Sequence, residues 1–305
     1  MIGTMRTHSQ IAGDGGSQVA EQIAELEAAI ARRLAGVRHL VALGSGKGGV
    51  GKSTLTRQLA GVLAASGKRV GILDADLNGP SQARLGGVAD RPPMPAPGGD
   101  GLLVPRSRDG VQILSVGSLL AEGSALTWPD ATPGSSHVWR ATREFSRLAE
   151  LLSAVEWGPL DVLFVDLPPG PERTAQFASF LGAGAAVVLV SIPTALARGV
   201  VARSADALRP LPNRLLGYVE NMSGYACSGC REVRPLFPDE PDDSLIALRC
   251  LGRIPFDPEL ARLSDRGVAV TELVDESRGR GEQSPLLTAL FSTATSLLNR
   301  LEESR

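Results

Sequence analysis

The sequence has few cysteines, few lysines and no long hydrophobic run, and the shortages of cysteine and of long hydrophobic runs each exclude a class of protein. Three cysteines in 305 residues do not make the disulfide framework of a small secreted protein, so we expect a reducing, cytoplasmic environment. The longest apolar run, near Ala185, is too short to span a bilayer, and the N-terminus lacks the apolar core of a signal peptide. A net charge of −2 gives no general attraction to anionic polymers or surfaces. We therefore expect no nucleic-acid partner and no membrane partner.

Lysine is scarce but concentrated. Arginine supplies all but three of the 31 basic residues, and two of the three lysines lie in one glycine-rich loop, GSGKGGVGKST (residues 44–54). The loop contains the phosphate-binding pattern Gly-x4-Gly-Lys-Ser between an apolar run and a helical pattern, which is the context that this motif requires. Lysine carries a compact charge on a flexible stem and suits a crowded phosphate site better than arginine does. The loop therefore predicts a nucleotide-binding site.

The residues of this loop have distinct expected roles. Glycine lets backbone N–H groups turn toward phosphates, and the N-terminus of the following helix adds positive potential. We expect Lys52 to contact the β- and γ-phosphates of ATP and the Ser53 hydroxyl to ligate Mg²⁺. The predicted nucleotide-binding residues of the loop are Gly46, Lys47, Gly48, Gly49, Val50, Gly51, Lys52, Ser53 and Thr54.

Aspartates stand at the ends of two predicted strands. Asp74 and Asp76 occur in ILDADLNGPS, and Asp166 occurs in FVDLPPG. Asp166 has the position of the Walker B carboxylate, which is linked to Mg²⁺. Of Asp74 and Asp76, we expect one to serve the Mg²⁺ shell and the other to orient a water molecule, and we predict catalytic roles for both. A helix cap or a turn is the alternative role for these aspartates.

Alternating patterns indicate the fold. From residue 38 onward, runs rich in Val, Ile and Leu alternate with helical patterns, which is typical of a parallel sheet covered on both faces. We predict an α/β domain over 38–305, preceded by a disordered segment over 1–17 and a helix over 18–37 that either packs on its own domain or forms a dimer contact. The Pro- and Gly-rich stretch 89–110 is predicted to be a surface loop. The predicted strands lie at 39–43, 69–76, 111–117, 161–169, 185–192 and 214–221, and the predicted helices near 52–66, 139–156, 172–182, 195–208 and 285–301.

The cysteines suggest a metal-binding segment within residues 221–250. Cys227 and Cys230 have C-x-x-C spacing, at which two thiolates can chelate one metal centre. Closed sites generally need four ligands, no histidine lies nearby in the sequence, and a symmetric dimer would supply a second pair. Cys250 lies on a probable strand and is expected to be a small buried side chain. A redox pair and a zinc site that includes Cys250 remain alternatives.

Several motifs together resemble one branch of the P-loop NTPases. GKGGVGKS is similar to the deviant P-loop of the class that contains the MinD/ParA ATPases, the nitrogenase iron protein and the Mrp/ApbC iron–sulfur carriers. DADLNGPS, GYVENMSGYACSGC and LGRIPFDPELARLSDRG resemble the Mrp/ApbC family and occur in the family's order over residues 38–270.

The resemblance implies an ATP-binding carrier that receives a [4Fe–4S] cluster from donors and passes it to apo-proteins. It implies that Lys47 crosses a homodimer interface to the partner's nucleotide and acts in catalysis, that Cys227 and Cys230 hold the cluster between subunits, and that Asn221 hydrogen-bonds adenine. The alternatives are a MinD/ParA-like regulatory switch with structural zinc or no metal, and an enzyme-specific maturation factor with weak ATPase activity.

The chain departs from the family pattern at three places. After Gly170, where the family has Thr-Gly-Asp, this chain has Pro171-Glu172-Arg173. Thr194 takes the place of a glutamine in the family's Thr-Thr-Pro-Gln stretch, and Asn78 takes a position that is commonly aromatic. All three departures follow predicted strands, near the expected nucleotide. We therefore predict intact nucleotide binding and slow hydrolysis.

Overall fold

The structure is a computed structural model that describes residues 17–99, 101–118, 137–227, 230, 232–237, 247–268 and 284–303. Side chains are described for all of these residues except 17–23 and 137–143. The predicted disordered segment over 1–17 lies outside the described residues, apart from Ser17, at which the first helix begins.

One large sheet organises the described part of the chain. Its strands are β1 (Val37–Ser45), β2 (Val70–Asp74), β5 (Gln112–Leu114), β6 (Leu160–Asp166), β7 (Ala185–Ser191), β8 (Arg214–Ala226), β9 (Val233–Arg234) and β10 (Cys250–Phe256), and β3 (Met94–Pro95) and β4 (Leu102–Leu103) form a separate hairpin. Seven strands lie in the order β10–β8–β7–β1–β6–β2–β5 and all pair in parallel. β9 pairs antiparallel with the end of β8.

Helices cover both faces of this sheet. They are α1 (Ser17–Leu34), α2 (Lys52–Ala65), α3 (Gln82–Leu85), α4 (His137–Ala154), α5 (Pro171–Leu181), α6 (Ala195–Leu208), α7 (Pro258–Asp265) and α8 (Pro285–Glu302), with a short 3₁₀ turn at Val116–Ser118. None of the described helices combines the length and the hydropathy that a membrane span requires. The predicted α/β fold with a parallel sheet between helical layers is confirmed.

Alternation along the strands builds two cores. In β1, Val41 and Leu43 face the core that contains α2 and α8, whereas Ala42, between them, faces the core that contains α4, α5 and α6. Successive side chains of a strand point to opposite faces, so a strand that is apolar throughout supplies both cores at once. This double burial explains why the strand sequences are continuous apolar runs.

The N-terminal helix α1 packs on its own chain. Ile30 and Leu34 lie against the core on the α4 side of the sheet. Arg33 Nε donates to the carbonyl oxygen of Ser153, at 3.1 Å, and its Nη1 lies 3.2 Å from Glu156 Oε1.

Several short elements were missed by the sequence patterns. The predicted surface loop over 89–110 contains the β3–β4 hairpin, and α3 and α7 have no counterpart among the predicted helices. β8 extends five residues beyond its predicted end and continues to Ala226. This extension brings the strand to the first residue of the C-x-x-C pair.

Candidate functional site

The glycine-rich loop joins β1 to α2 at the carboxyl end of the central strand. Gly49 and Gly51 both have φ of 78°, a left-handed conformation that favours glycine. The loop borders a cavity of about 230 Å³. Gly46 is not among the residues that line it, and an added Cβ on Gly46 would approach Val200 of α6 to 2.4 Å. The cavity is lined by the other predicted loop residues, Lys47, Gly48, Gly49, Val50, Gly51, Lys52, Ser53 and Thr54, together with Ser45, Asp76 and Pro169.

Lys52 and Asp166 form a buried ion pair at the base of this cavity. Lys52 Nζ contacts Asp166 Oδ1, and the side chains are 6% and 0% exposed. Lys52 Nζ also lies 3.3 Å from Ser53 Oγ. The structure therefore places in one contiguous group the lysine predicted to bind phosphate, the serine predicted to ligate magnesium and the predicted Walker B carboxylate.

The second oxygen of Asp166 is bound by a residue that the sequence patterns missed. Gln82, the first residue of α3, is fully buried, and its Nε2 donates to Asp166 Oδ2 at 2.8 Å. The same Nε2 donates to the carbonyl oxygen of Ser53 at 2.9 Å. Gln82 directly follows the DADLNGPS motif, but a contact across 84 residues of sequence leaves no signal in spacing.

Asp74 is part of the interior. Its Oδ2 accepts hydrogen bonds from the backbone N–H groups of Ser81 and Gln82 and from the Ser115 hydroxyl, each at 2.9 Å. Burial, and then the nearby charge of Asp166, raise the pKa of Asp74 to about 7. An aspartate in this setting exchanges a proton near neutral pH, a range in which an ordinary carboxyl is fully ionised.

Asp76 has a different position from Asp74. It lies beyond the end of β2 and lines the cavity. Its Oδ1 accepts a hydrogen bond from the backbone N–H of Gly79 at 3.2 Å. The structure thus gives different surroundings to the two aspartates that the sequence grouped. Asp76 lines the cavity, whereas Asp74 binds the backbone N–H groups at the start of α3.

Two of the departures from the family pattern meet at one carboxylate. Glu144 of α4 accepts from Asn78 Nδ2 at 2.8 Å and also pairs with the Arg173 guanidinium. Asn78 lies two residues after Asp76, and Arg173 lies in the first turn of α5, close in sequence to Pro169. Glu144 therefore joins the segment after β2 to the start of α5, and Asp76 and Pro169, close in sequence to these segments, line the cavity. The sequence could have pointed to Glu144, because it is a charged residue four positions before Leu148 and therefore shares the buried face of α4.

Lys47 and Thr194 have simpler surroundings. Lys47 is half-buried at the cavity and, within the described residues, its amine has no hydrogen-bond or ion-pair partner. Thr194 caps α6, accepting from Ala197 N at 3.3 Å.

Strand β8 contacts the glycine-rich loop. Asn221 Nδ2 donates to the carbonyl oxygen of Val50 at 2.9 Å. Gly51 has a left-handed φ that favours glycine, and an added Cβ there would lie 2.3 Å from the same Nδ2 and so displace the Asn221 amide. The next residue, Met222, has φ of 53°, a strained conformation for a side chain of this size.

The same strand ends at the C-x-x-C pair. Cys227 N donates to the carbonyl oxygen of Glu232 at 3.0 Å, which extends the antiparallel pairing of β8 with β9 in a hairpin. Cys230 lies within this hairpin and is exposed, and its Sγ lies 3.8 Å from Glu232 Oε2. The hairpin brings both predicted metal-binding cysteines to one end of the sheet.

Cys250 lies at the other end of the sheet. It begins β10, where it pairs with Tyr218, eight positions before Ala226 on β8. At about 3.3 Å per residue, this separates Cys250 from the hairpin by more than about 20 Å. Burial, and then the electrostatic interaction with the neighbouring Cys250 thiol, raises the pKa of Tyr218 to about 12. The structure therefore does not bring Cys250 to the C-x-x-C pair, and within the described residues no group of three or more His, Cys, Asp or Glu side chains could hold a metal ion.

Comparison with known families decides the relationship. The family model described as NUBPL iron-transfer P-loop NTPase (ParA) matches residues 36–289. The chain belongs to this family. The family's description, and a relative named as an iron–sulfur cluster carrier protein, confirm the resemblance drawn from the sequence motifs.

Two relatives match this chain over most of its length. An iron–sulfur cluster carrier protein from Methanocaldococcus jannaschii is 34% identical over 256 residues, which cover 82% of this chain and 84% of the relative. The cytosolic Fe–S cluster assembly factor NUBP2 from Homo sapiens is 36% identical over 276 residues, which cover 87% of this chain and 94% of the relative.

Solved structures agree on the fold. A nucleotide-binding protein from Archaeoglobus fulgidus in complex with ADP has a TM-score of 0.65 and 32% identity, covering 79% of this chain and 91% of that chain. The septum site-determining protein MinD from Pyrococcus horikoshii, complexed with Mg-ADP, has a TM-score of 0.58 and covers 85% of this chain and 95% of that chain. At 23% identity, the MinD likeness shows the fold alone.

Proposed function

We propose that this protein is a cytosolic, ATP-binding iron–sulfur cluster carrier that works as a homodimer. It would receive a [4Fe–4S] cluster from a donor, hold it between two subunits and pass it to apo-proteins. Family membership and the names of the relatives, an iron–sulfur cluster carrier and a cytosolic Fe–S cluster assembly factor, support the general function. The hairpin at Cys227 and Cys230 supports the cluster as the cargo.

The observation that carries the proposal is the position of the cysteine pair. Each chain offers two thiols in one hairpin, and Cys250 lies too far away to add a third. Iron–sulfur clusters are generally held by four cysteine thiolates. Two copies of the hairpin, related by a two-fold axis, would supply four.

The nucleotide site fits magnesium and a triphosphate. The Ser53 hydroxyl and the Asp166 carboxylate offer the hard oxygen donors that Mg²⁺ prefers, beside the phosphate-binding Lys52. Bound Mg²⁺ would neutralise charge on the β- and γ-phosphates. Asn221, which holds Val50 through its amide nitrogen, would offer its carbonyl oxygen to the adenine amino group.

The remaining predicted residues have proposed roles in a slow ATPase. Asp76, at the cavity, would orient the attacking water, and Lys47 would reach the partner's nucleotide in the closed dimer. Asp74 would act indirectly by holding the backbone of Ser81 and Gln82. Hydrolysis is expected to be slow because Pro171-Glu172-Arg173 replace the family's Thr-Gly-Asp, which removes polar groups beside the γ-phosphate, and Arg173 is engaged by Glu144.

The proposal is tested by anaerobic reconstitution followed by iron analysis and absorption spectroscopy. We expect brown protein with about four irons per dimer, and loss of the colour in Cys227→Ser and in Cys230→Ser. Cys250→Ser is the matched control and should retain the cluster, because its thiol lies at the far end of β8 and β10. One zinc per chain, or iron binding that depends on Cys250, would contradict the carrier function.

A further inference from the structure

Gln82 forms hydrogen bonds with three separate elements beside the cavity. Its backbone N–H donates to Asp74 Oδ2 at 2.9 Å, and its side-chain amide nitrogen donates to Asp166 Oδ2 at 2.8 Å and to the Ser53 carbonyl at 2.9 Å. One residue thereby fixes the end of β2, the end of β6 and the start of α2 relative to one another.

The amide oxygen of Gln82 is unused. The Gln82 side chain is fully buried, and within the described structure its Oε1 has no hydrogen-bond partner. Rotating the amide by half a turn would not help, because the oxygen would then face two acceptors, on Asp166 and Ser53. A buried acceptor without a donor is costly, and native proteins rarely keep one without a ligand or a water molecule.

We propose that Gln82 is a positioning residue for the magnesium ion of the nucleotide site. Its amide nitrogen holds the Asp166 carboxylate and the Ser53 backbone in place, and its unpartnered oxygen accepts a hydrogen bond from a water of the magnesium hydration shell. The inference rests on the nucleotide site of the proposed function and adds a residue that no motif assigned to it.

The chemistry of magnesium makes such a residue valuable. Mg²⁺ dehydrates reluctantly and keeps several waters, so protein acceptors around those waters orient the ion as much as direct ligands do. Lys52 now engages Asp166 Oδ1, and phosphates in the cavity would compete for the same ammonium group. The bond from Gln82 to Oδ2 keeps the Asp166 carboxylate oriented when the lysine moves.

The test compares ATP binding with and without magnesium. Binding is measured by calorimetry on the full chain, once with Mg²⁺ and once with EDTA, for the wild type and for the nearly isosteric Gln82→Met. We expect the affinity of the variant in EDTA to stay within about twofold of wild type, and the affinity gained from Mg²⁺ to fall by about 10- to 100-fold, the usual effect of removing an outer-shell partner of a metal.

The matched control is Gln112→Met. Gln112 is also a buried glutamine whose amide nitrogen donates to a backbone oxygen, that of Trp157 at 3.2 Å, but it lies on β5 away from the cavity lining. It should bind ATP as the wild type does in both buffers. Gln82→Leu provides a second apolar variant if circular dichroism shows that Gln82→Met is unfolded.

The outcomes separate this inference from the proposed function. If Gln82→Met weakens binding equally in Mg²⁺ and in EDTA, the residue is merely structural and the inference is wrong. It is also wrong if the variant keeps the full gain from Mg²⁺. A wild type that does not bind ATP in either buffer would instead overturn the nucleotide site itself, and with it both statements.

Discussion

The ionisation of Asp74 is coupled to folding. Its pKa is about 7 in the folded protein and near 3.8 in an unfolded chain. Between these values the folded state holds a proton that the unfolded state releases, so the free energy of unfolding should fall as the pH rises from about 4 to 7, by up to about 1.4 kcal/mol per pH unit. Above the folded pKa both states are ionised and the contribution is constant.

Urea unfolding of metal-free protein in EDTA, followed from pH 4 to 8, measures this effect. Asp74→Asn should lack that part of the pH dependence, so the variant gains stability relative to the wild type as the pH rises. Asp161→Asn is the matched control: the backbone N–H and then the guanidinium of Arg69 lower the pKa of Asp161, so its contribution is lost only as the pH falls below about 4, and this variant should keep the wild-type pH dependence over the measured range. Parallel curves for Asp74→Asn and the wild type would contradict the assignment.

At the scale of single residues, the sequence predicted the groups whose role is local. The glycine-rich loop could be identified because its lysines, serine and glycines are close together in sequence. In the structure, most of these residues line one cavity. Gln82 and Glu144 could not be identified in this way. Their partners, Asp166 and Arg173, lie on other elements, and only the folded sheet brings them together.

At the scale of elements, the β8–β9 hairpin offers a test through Gly224. An added Cβ there would lie 2.6 Å from Val233 Cγ1 and 2.8 Å from the carbonyl oxygen of Arg234, which is backbone and cannot rotate away. Gly224→Ala should therefore push β9 from β8 and displace the turn that bears the cysteines. We expect reconstituted iron per dimer to fall severalfold, while ATP affinity changes little.

Gly199→Ala is the matched control for this prediction. Gly199 lies in α6, and an added Cβ there has no neighbour within 4 Å. Since alanine favours helix by up to about 1 kcal/mol over glycine, this variant should be slightly more stable and load iron normally. Full iron loading in Gly224→Ala would show that the cysteine turn does not depend on its pairing with β9.

Element length explains what the patterns found and missed. Strands such as β6 and β7 are buried on both faces and read as apolar runs, so they could be predicted with the parallel sheet. β3, β4 and β9 are two residues long, and α3 is four. Segments this short carry no periodicity, and their conformation depends on pairing with distant parts of the chain.

At the scale of the whole molecule, Lys47 tests the dimer. If its amine reaches the partner's nucleotide, Lys47→Ala should bind ATP nearly as well as the wild type but lose the ATP-dependent compaction of the dimer. Small-angle X-ray scattering with and without Mg-ATP measures this change. Lys52→Ala, which removes the buried partner of Asp166, should instead lose binding itself.

Lys68→Ala controls for the loss of a positive charge. Lys68 is exposed in the turn after α2, distant in sequence from the glycine-rich loop, and its removal should leave both ATP affinity and compaction unchanged. If the scattering profile of Lys47→Ala responds to ATP as the wild type does, the proposed role across the interface is wrong.

The hairpin cysteines and Cys250 lie at opposite ends of β8 and β10, and this placement determines which disulfides form when the protein is oxidised by air. A disulfide needs Cα atoms within about 7 Å, so Cys250 cannot pair with either hairpin thiol of its own chain. Oxidation can close the Cys227–Cys230 loop inside one chain, whereas Cys250 can form a disulfide only with another molecule. On a non-reducing gel, a covalent dimer that disappears in Cys250→Ser would report damage remote from the C-x-x-C pair. Inactive protein that still migrates as a monomer would report oxidation of the hairpin itself.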